Sequence, residues 1–185
     1  MNVRPETIEL DLQELVFDQA AVYRYWDGVR AERPMPAWSE IEMMELPLAA
    51  VPWCSVMDVV PGTDDFLVRF WGTQRVQLHG ADYTGMRVSQ FKSQTVADKV
   101  CGELHEVVRR RAPILFETKL IAAEGDNAEP PLFRMLRLPL GEDGEVSSVL
   151  CAPSFLENKP LIYDWLGGEA PVSVLAQSRT PDIAE

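Results

Sequence analysis

Apolar side chains recur every three or four positions over residues 12–32, which is the spacing of one face of an α-helix. An isolated helix of this length is marginal in water, so we expect this face to pack on the chain's own sheet or on a second subunit. The residues that we predict at such a dimer interface are Leu12, Leu15, Val16, Val22, Tyr23, Trp26 and Val29. Prolines 34 and 36 end the helix, because proline lacks a backbone donor.

A short second helix is predicted over residues 39–46, with Ser39 and Glu42 as its capping box. Apolar and β-branched residues then predict a strand over residues 53–60, and a turn cluster joins it to a second strand over residues 66–72. Simple alternation along that second strand places Phe66, Val68 and Phe70 on one face and Trp71 on the other.

The middle of the chain returns to helical spacing. Residues 73–80 predict two helical turns that end at a glycine, and residues 95–111 predict a long helix with an apolar stripe. Three further strands are predicted over residues 114–122, 132–140 and 146–152, and a tight turn at residues 141–145 joins the last two.

These elements predict an α+β fold with a five-stranded antiparallel sheet, a helical insert on one face and an extra N-terminal helix. We expect the 53–60 strand at the centre of the sheet, between the 66–72 and 146–152 strands. The organisation along the chain is then an N-terminal helical extension (1–36), the sheet-containing domain (37–153) and a C-terminal tail (154–185). Residues 161–166 are expected to pack as one turn, and the tail beyond residue 168 to be mobile.

Composition narrows the function. The net charge of −12 repels phosphate backbones and anionic lipid surfaces, so neither nucleic acid nor membrane is expected as a partner. The N-terminus carries acidic residues and no apolar signal-peptide region. Cys54, Cys101 and Cys151 lie far apart and form no C-x-x-C pair, which favours a reducing compartment. We therefore expect a cytoplasmic protein.

Several local motifs, in this order, make the interpretation narrower. They are Tyr25-Trp26, Arg33-Pro34-Met35-Pro36, Phe70-Trp71-Gly72-Thr73, the 80–85 segment and the 138–144 segment. Together they resemble a family of stand-alone PAS-like proteins common in alphaproteobacteria, over about residues 15–152. The resemblance implies a sensory or regulatory module, and assigning that role is an analogy from fold to function.

A pocket between the sheet and the helical insert would suit a small apolar or aromatic ligand, and a core filled by the same side chains is the alternative. The candidate ligand-binding residues are Trp53, Phe70, Trp71, Tyr83, Phe91, Cys101, His105 and Phe116. His105 follows Cys101 by one helical turn, and the resemblance to haem-binding PAS domains draws attention to it. No third or fourth metal ligand accompanies this pair, and residues 84–90 lack the cysteine of flavin photosensors. No cofactor and no metal are predicted.

The sequence is compatible with three functions. The first is a signalling module that acts through protein–protein contacts with an unknown signalling partner, with a homodimer favoured through the 12–32 helix. The second is a small-molecule sensor. The third is an enzyme on a curved-sheet scaffold of the dehydratase or thioesterase kind, which a histidine–carboxylate dyad in a deep pocket would favour. No catalytic residue is predicted, because neither His79 nor His105 stands in a familiar triad context.

Overall fold

A single sheet of six antiparallel strands organises the chain in the computed structural model, which describes residues 4–121, 132–157 and 166. The strands lie in the order β1-β4-β5-β6-β2-β3. Their bounds are β1 (Arg4–Leu10), β2 (Ser55–Val59), β3 (Phe66–Trp71), β4 (Ile114–Ile121), β5 (Leu132–Glu142) and β6 (Glu145–Glu157). The three α-helices of the described residues are α1 (Phe17–Arg30), α2 (Thr73–His79) and α3 (Gln94–Arg110).

The α+β prediction is confirmed, with one strand more than expected. The segment Arg4–Leu10 pairs with β4 from Arg4 opposite Ile121 to Leu10 opposite Leu115. Its sequence has few apolar residues, so it carries little strand signal of its own. It forms a strand because β4 offers an unpaired edge, and a proline is tolerated in a strand at the sheet edge.

The predicted neighbours of the first strand are confirmed. β2 pairs with β3 on one side and with β6 on the other, so that Ser55 lies opposite both Trp71 and Cys151. The predicted central position is wrong, because β1, β4 and β5 all extend the sheet beyond β6. The middle of the sheet is the long β5–β6 hairpin, whose turn at Asp143 and Gly144 has the positive φ angles of an Asp-Gly hairpin.

A β-bulge changes which side chains of β3 face the helices. The register shifts between Val56 and Met57, so that Met57 lies opposite Val68 and Ser55 lies opposite Trp71. The extra residue in β3 reverses the alternation and brings Trp71 to the same face as Val68. The predicted separation of Trp71 from Phe66 and Val68 is therefore wrong, since simple alternation cannot anticipate a bulge.

The two predicted N-terminal helices begin and end differently from their predictions. Asp11 accepts a hydrogen bond from the Gln13 amide at 2.8 Å and caps a single 3-10 turn, so α1 begins only at Phe17. The predicted second helix is replaced by the 3-10 turn Trp38–Glu40 followed by irregular turns. The predicted Ser39–Glu42 capping box is wrong.

Glu40 makes the capping contact that Glu42 was expected to make. Its carboxylate accepts the Ala37 amide at 2.8 Å and also pairs with Arg33 at 2.8 Å. Both contacts of Glu40 are made to residues that precede Ser39. The turn therefore begins closer to the N-terminus than the predicted capping box would place it.

The helices of the middle section are confirmed. α2 ends at Gly80, whose φ of +63° is the left-handed conformation that favours glycine. α3 begins after Ser93, whose hydroxyl accepts the Val96 amide at 3.4 Å, and its apolar stripe is buried. Within the described residues, no helix is long and apolar enough to cross a membrane.

Both faces of the β5–β6 hairpin are covered. Phe133, Met135 and Arg137 face α3, and on the other face Leu136 and Leu138 are fully buried as well. α1 also packs on β5 and β6. It is held there by two side-chain donors that reach strand carbonyls. Trp26 Nε1 donates to Pro139 O, and Gln19 Nε2 donates to Ala152 O, both at 2.9 Å.

Some predictions fall on residues outside those described. These are the 122–131 loop, most of the expected turn at residues 161–166, and the tail beyond residue 168. Leu166 alone is described there, as a helical and buried residue. The division into an extension, a domain and a tail stays a prediction.

Candidate functional site

A cavity lies between α2, α3 and the face of the β5–β6 hairpin that these helices cover. The space inside it that a water-sized sphere can reach is about 30 Å³, and the wider recess, which includes open solvent, measures about 380 Å³. Its wall combines apolar side chains with four nitrogen-bearing side chains. The lining residues are Arg75, Leu78, His79, Val96, Lys99, Val100, Phe133, Met135, Arg137, Phe155 and Leu166.

Gly72 and α2 together bring Arg75 to this cavity. A Cβ atom on Gly72 would lie 2.2 Å from Pro52 O, so only glycine allows the end of β3 to approach this turn so closely. α2 starts at the next residue, and its spacing puts Arg75, Leu78 and His79 on one face. All three are buried.

Two contacts hold the guanidinium of Arg75 in place, but they do not engage all of its hydrogen-bond donors. It stacks on Trp71 with its Cζ 4.3 Å from the ring centroid, and Nη1 donates to Trp53 O at 3.4 Å. Its Nε is buried and has no hydrogen-bond partner within the described part of the chain. Arg75 forms no ion pair with any described residue. Burial, together with the nearby Arg137, lowers the pKa of Arg75 to about 10, so the group stays charged at neutral pH.

A buried ion-pair network forms the floor beside Arg75. Arg137 Nη2 lies 2.6 Å from Glu103 Oε2, its Nε donates to the same oxygen at 3.0 Å, and its Nη1 lies 3.0 Å from Cys151 Sγ. Lys99 pairs with the other oxygen of Glu103, one helical turn away on α3. One carboxylate therefore bridges two buried cations.

The network determines the charge of each of its members. Burial by itself would raise the pKa of Glu103, but Lys99 and Arg137 outweigh burial and hold that pKa below its usual value. Burial lowers the pKa of Lys99 despite the attraction of Glu103. Arg75, Lys99 and Arg137 thus place three cations around the cavity against the one carboxylate of Glu103.

His79 shares the cavity wall with an aromatic cluster. Its ring lies 4.8 Å from Trp71, 6.0 Å from Tyr83 and 6.4 Å from Phe91, measured between centroids. Burial, and then the charge of Arg75, lowers the pKa of His79 well below its ordinary value. His79 is therefore a neutral imidazole at physiological pH.

The comparison with known families agrees with this architecture of a sheet and a helical insert around a cavity. A family model described as a PAS domain matches residues 17–152. The chain belongs to the PAS domain family. No curated protein and no solved structure matches it. PAS domains are usually sensory rather than catalytic, which supports a sensory or regulatory role for this one.

Three of the eight predicted ligand-binding residues of this PAS domain come together. Trp71, Tyr83 and Phe91 pack in one cluster, with Trp71 5.4 Å from Tyr83 and Tyr83 stacked 4.3 Å from Phe91. The cluster stands behind the cavity wall, because its members contact His79 and Arg75 rather than line the space themselves.

The other five candidates are dispersed around the PAS domain. Trp53 packs on the lining residue Phe155 at 5.1 Å, and Phe116 is paired with Met135 and so shares its face of the sheet. Phe70, next to Trp71, points to the opposite face. His105 packs on Phe66 at 5.0 Å, and Cys101 is half-buried on the same helix.

The thiols of Cys54 and Cys101 are weakly acidic because they are withdrawn from water. Burial raises the pKa of Cys54 to about 12 and that of Cys101 to about 11. Both thiols are therefore protonated at neutral pH and are poor nucleophiles. Among the described residues no cluster of three or more histidine, cysteine, aspartate or glutamate side chains is arranged to hold a metal ion.

The predicted dimer-interface residues divide into two groups. Val22 and Trp26 are buried within the chain itself, on the face of α1 that packs on the sheet. The remaining five are half-buried: Leu12, Leu15, Val16, Tyr23 and Val29. Phe17, which was not on the predicted list, is the most exposed large apolar side chain of α1, at 84%.

The charged residues of the cavity were missed by the sequence interpretation. A signal for them exists in the pattern. Glu103 stands within the apolar stripe of α3, and Arg137 stands on the same strand face as Phe133 and Met135. A charged residue at a position whose neighbours on the same face are apolar is rarely buried without a partner. Such positions mark a buried polar site.

A prediction about pH follows from the buried His79. In the unfolded chain a histidine takes up a proton below about pH 6.5, whereas His79 in the folded state does not. The unfolded state then binds more protons, so stability should fall on acidification by up to about 1.4 kcal/mol per pH unit below about pH 6.5. We expect His79→Phe to remove this slope in urea unfolding between about pH 5 and 6.5.

The same series of unfolding measurements at different pH values distinguishes the packing contribution of His79 from the effect of its ionisation. At pH 8 both states of the wild type carry a neutral imidazole, so the difference between wild type and His79→Phe measures packing alone. Asp65 and Asp82 are carboxylates with lowered pKa values. Their protonation reduces the free energy of unfolding only below about pH 4.5, outside the range of this measurement. An unchanged slope in His79→Phe would show that His79 is protonated in the folded protein.

Proposed function

We propose that this PAS domain is a regulatory module that takes a small molecule into the cavity between α2, α3 and the sheet. Its output is then a change in protein–protein contacts with a signalling partner. The observation that carries the proposal is Arg75, a lining residue whose buried Nε has no acceptor among the residues that the structure describes. The resemblance to stand-alone PAS-like proteins of alphaproteobacteria supports the regulatory part.

Buried donors in folded proteins are almost always matched by an acceptor. An unmatched guanidinium donor costs free energy, because its hydration is lost and no protein contact replaces it. The side chain of Arg75 is also held by Trp71 and Trp53, so it cannot turn to solvent without breaking both contacts. A molecule in the cavity that supplies an acceptor explains why this arrangement is stable.

The enzyme alternative has less support from the geometry. A hydrolase or dehydratase of the kind considered would need a histidine oriented by a carboxylate. His79 is surrounded by aromatic rings and Arg75, and no described carboxylate hydrogen-bonds to it. Glu103, the carboxylate that pairs with the lining residues Lys99 and Arg137, is held by both of them and is not free to orient a histidine.

We also propose that the module is a homodimer. The basis is the N-terminal part of α1, where the exposed Phe17 adjoins the half-buried Leu15 and Val16. An apolar side chain of this size that is 84% exposed gains free energy when a second subunit covers it. Two-fold symmetry would bring the same surface of each subunit into contact.

Native mass spectrometry of freshly purified protein tests the ligand. We expect an added small mass on the wild type that is lost under denaturing conditions. Val100→Phe fills the cavity and should abolish that mass, whereas Leu67→Phe, a similar enlargement at a more exposed strand position, should retain it. A wild-type spectrum without any added mass, matching that of Val100→Phe, would contradict the proposal.

The same spectra report the oligomeric state. The wild type is expected at the mass of two chains and Phe17→Asp at the mass of one, since a buried unpaired charge disfavours the interface. Because Phe17 is exposed in the single chain, the substitution should not unfold it. A single-chain mass for the wild type at micromolar concentration would exclude the dimer and leave the cavity proposal unaffected.

A further inference from the structure

We infer that a recess beside the turn of the β5–β6 hairpin is a docking site for an arginine- or lysine-bearing segment of a partner protein. Its walls are residues 33–35 and residues 141–144. The inference rests on the proposed function and deepens its protein-contact part, because it gives the surface used and the chemistry of the partner. The recess shares no lining residue with the cavity between α2, α3 and the sheet.

The recess has the room that a docked side chain needs. The space that a water-sized sphere can reach in it is about 350 Å³, against about 30 Å³ in the cavity that Arg75 lines. The wider recess, which includes open solvent, measures about 670 Å³. A side chain of an approaching protein can therefore enter it without any movement of the core.

Both walls of the recess are fixed by the fold. Gly141 N donates to Pro36 O at 2.9 Å, which ties the 33–36 segment to the β5–β6 hairpin. A Cβ atom on Gly141 would lie 1.8 Å from a backbone oxygen of β6, so this close approach requires glycine. The turn at residues 143–144 closes the hairpin with φ angles of +51° and +77°. A docking segment thus meets a preformed surface, which lowers the entropic cost of binding.

The charge of the recess selects a cationic partner. Glu142 and Asp143 are exposed carboxylates, and no ion pair joins either of them to another described residue. The charge of Arg33 is already balanced, because its two terminal nitrogens donate to the carboxylate of Glu40 at 2.8 and 2.9 Å. The recess therefore presents two carboxylates that no described cation balances. The chain as a whole has a net charge of −12, which also attracts cations from a distance.

The apolar part of the wall suits the stem of a basic side chain. Pro34 and Met35 contribute this surface. Lysine and arginine carry an apolar stem below the charged group, so they cover such a surface while the charge reaches a carboxylate. A metal ion fits less well, since no cluster of three or more histidine, cysteine, aspartate or glutamate side chains in the described ranges is arranged to hold one.

Two matched peptides test the inference on the full chain. The first is a dye-labelled peptide in which arginine, leucine and arginine stand between terminal glycines. The second has citrulline in place of both arginines, which keeps the shape of the side chain and removes its charge. Binding of each peptide would be measured by fluorescence anisotropy at low and at physiological ionic strength.

A pair of double variants separates the recess from the overall charge. Glu142→Gln/Asp143→Asn removes both carboxylates and keeps the turn, because asparagine before glycine is a preferred pair for such a hairpin. Asp64→Asn/Asp98→Asn is the control and removes the same charge from two exposed positions outside the recess. Since the two variants have equal net charge, a difference between them reports the recess itself. Urea unfolding checks that both are folded.

We expect the wild type to bind the arginine peptide at least about tenfold more tightly than the citrulline peptide. The recess variant should lose that preference, and the control should stay within about twofold of the wild type. The preference should weaken with added salt, because both carboxylates are exposed to solvent.

Three outcomes would overturn the inference. The first is equal affinity of the wild type for the two peptides, and the second is an equal loss of affinity in the recess variant and the control. The third is a recess variant that changes from two chains to one in the native spectrum while the wild type binds neither peptide, which would assign this surface to the second subunit. A small-molecule mass retained in that spectrum would leave the cavity proposal standing in each case. Absence of that mass as well would reject the ligand part of the proposed function together with the docking site.

Discussion

Trp26→Ala is expected to lower the free energy of unfolding by about 3–5 kcal/mol, the range for removing a fully buried tryptophan. Trp26 is 1% exposed, and its Nε1 donates to Pro139 O at 2.9 Å. The substitution leaves a cavity between α1 and the sheet and also leaves the Pro139 carbonyl without its donor. Urea unfolding followed by far-ultraviolet circular dichroism measures the effect.

Two control variants show which contact is responsible. Leu48→Ala removes an apolar side chain that is 70% exposed, so it should change stability by less than about 0.5 kcal/mol. Trp26→Phe keeps most of the ring volume and loses the hydrogen bond, and its effect should lie between the two. A loss for Trp26→Ala as small as that for Leu48→Ala would mean that α1 does not pack on its own sheet.

Glu103→Gln is expected to lower the free energy of unfolding by about 3–5 kcal/mol, although it changes only one atom type. Glu103 is 5% exposed and bridges Lys99 and Arg137, with Arg137 Nη2 at 2.6 Å. A neutral amide cannot compensate two buried cations, so both retain their desolvation cost without the attraction that offsets it. Urea unfolding at neutral pH measures the loss.

Glu106→Gln is the matched control on the same helix. Hydrogen bonds from Arg109 and Arg110 lower the pKa of Glu106 to about 2, but the group is exposed to water. Solvent screens such surface pairs, so the control should lose far less stability than Glu103→Gln. Equal losses for the two variants would show that the Glu103 network is hydrated and that the cavity charges are not buried.

The helices and hairpins were predictable because short-range patterns specify them. α2 ends at Gly80, α3 carries a continuous apolar stripe, and the β5–β6 turn uses an Asp-Gly pair. β1 was not predictable in the same way, because its pairing depends on an edge that β4 provides from far along the chain. The Trp71 orientation was missed for a related reason, since a bulge is defined by the partner strand.

The candidate site was predictable only in part. The aromatic residues Trp71, Tyr83 and Phe91 were expected to converge, and they do pack together. The charged members were not among the predicted site residues, because arginine and lysine are rarely buried. Their positions on apolar faces contained a signal, but a position on a face does not reveal which charge lies opposite it.

Local sequence patterns specified α2, α3 and the two hairpins β2–β3 and β5–β6, because periodicity and turn chemistry act over a few residues. The packing of three separate elements brings Arg75 of α2, Lys99 of α3 and Arg137 of β5 to one cavity, with Glu103 of α3 bridging the last two. The balance of charge there is a property of three elements brought together, and among the described residues it gives Arg75 no ion-pair partner. No local pattern encodes this balance of charge, because the position of a residue on one face does not show which charges the other elements bring to it.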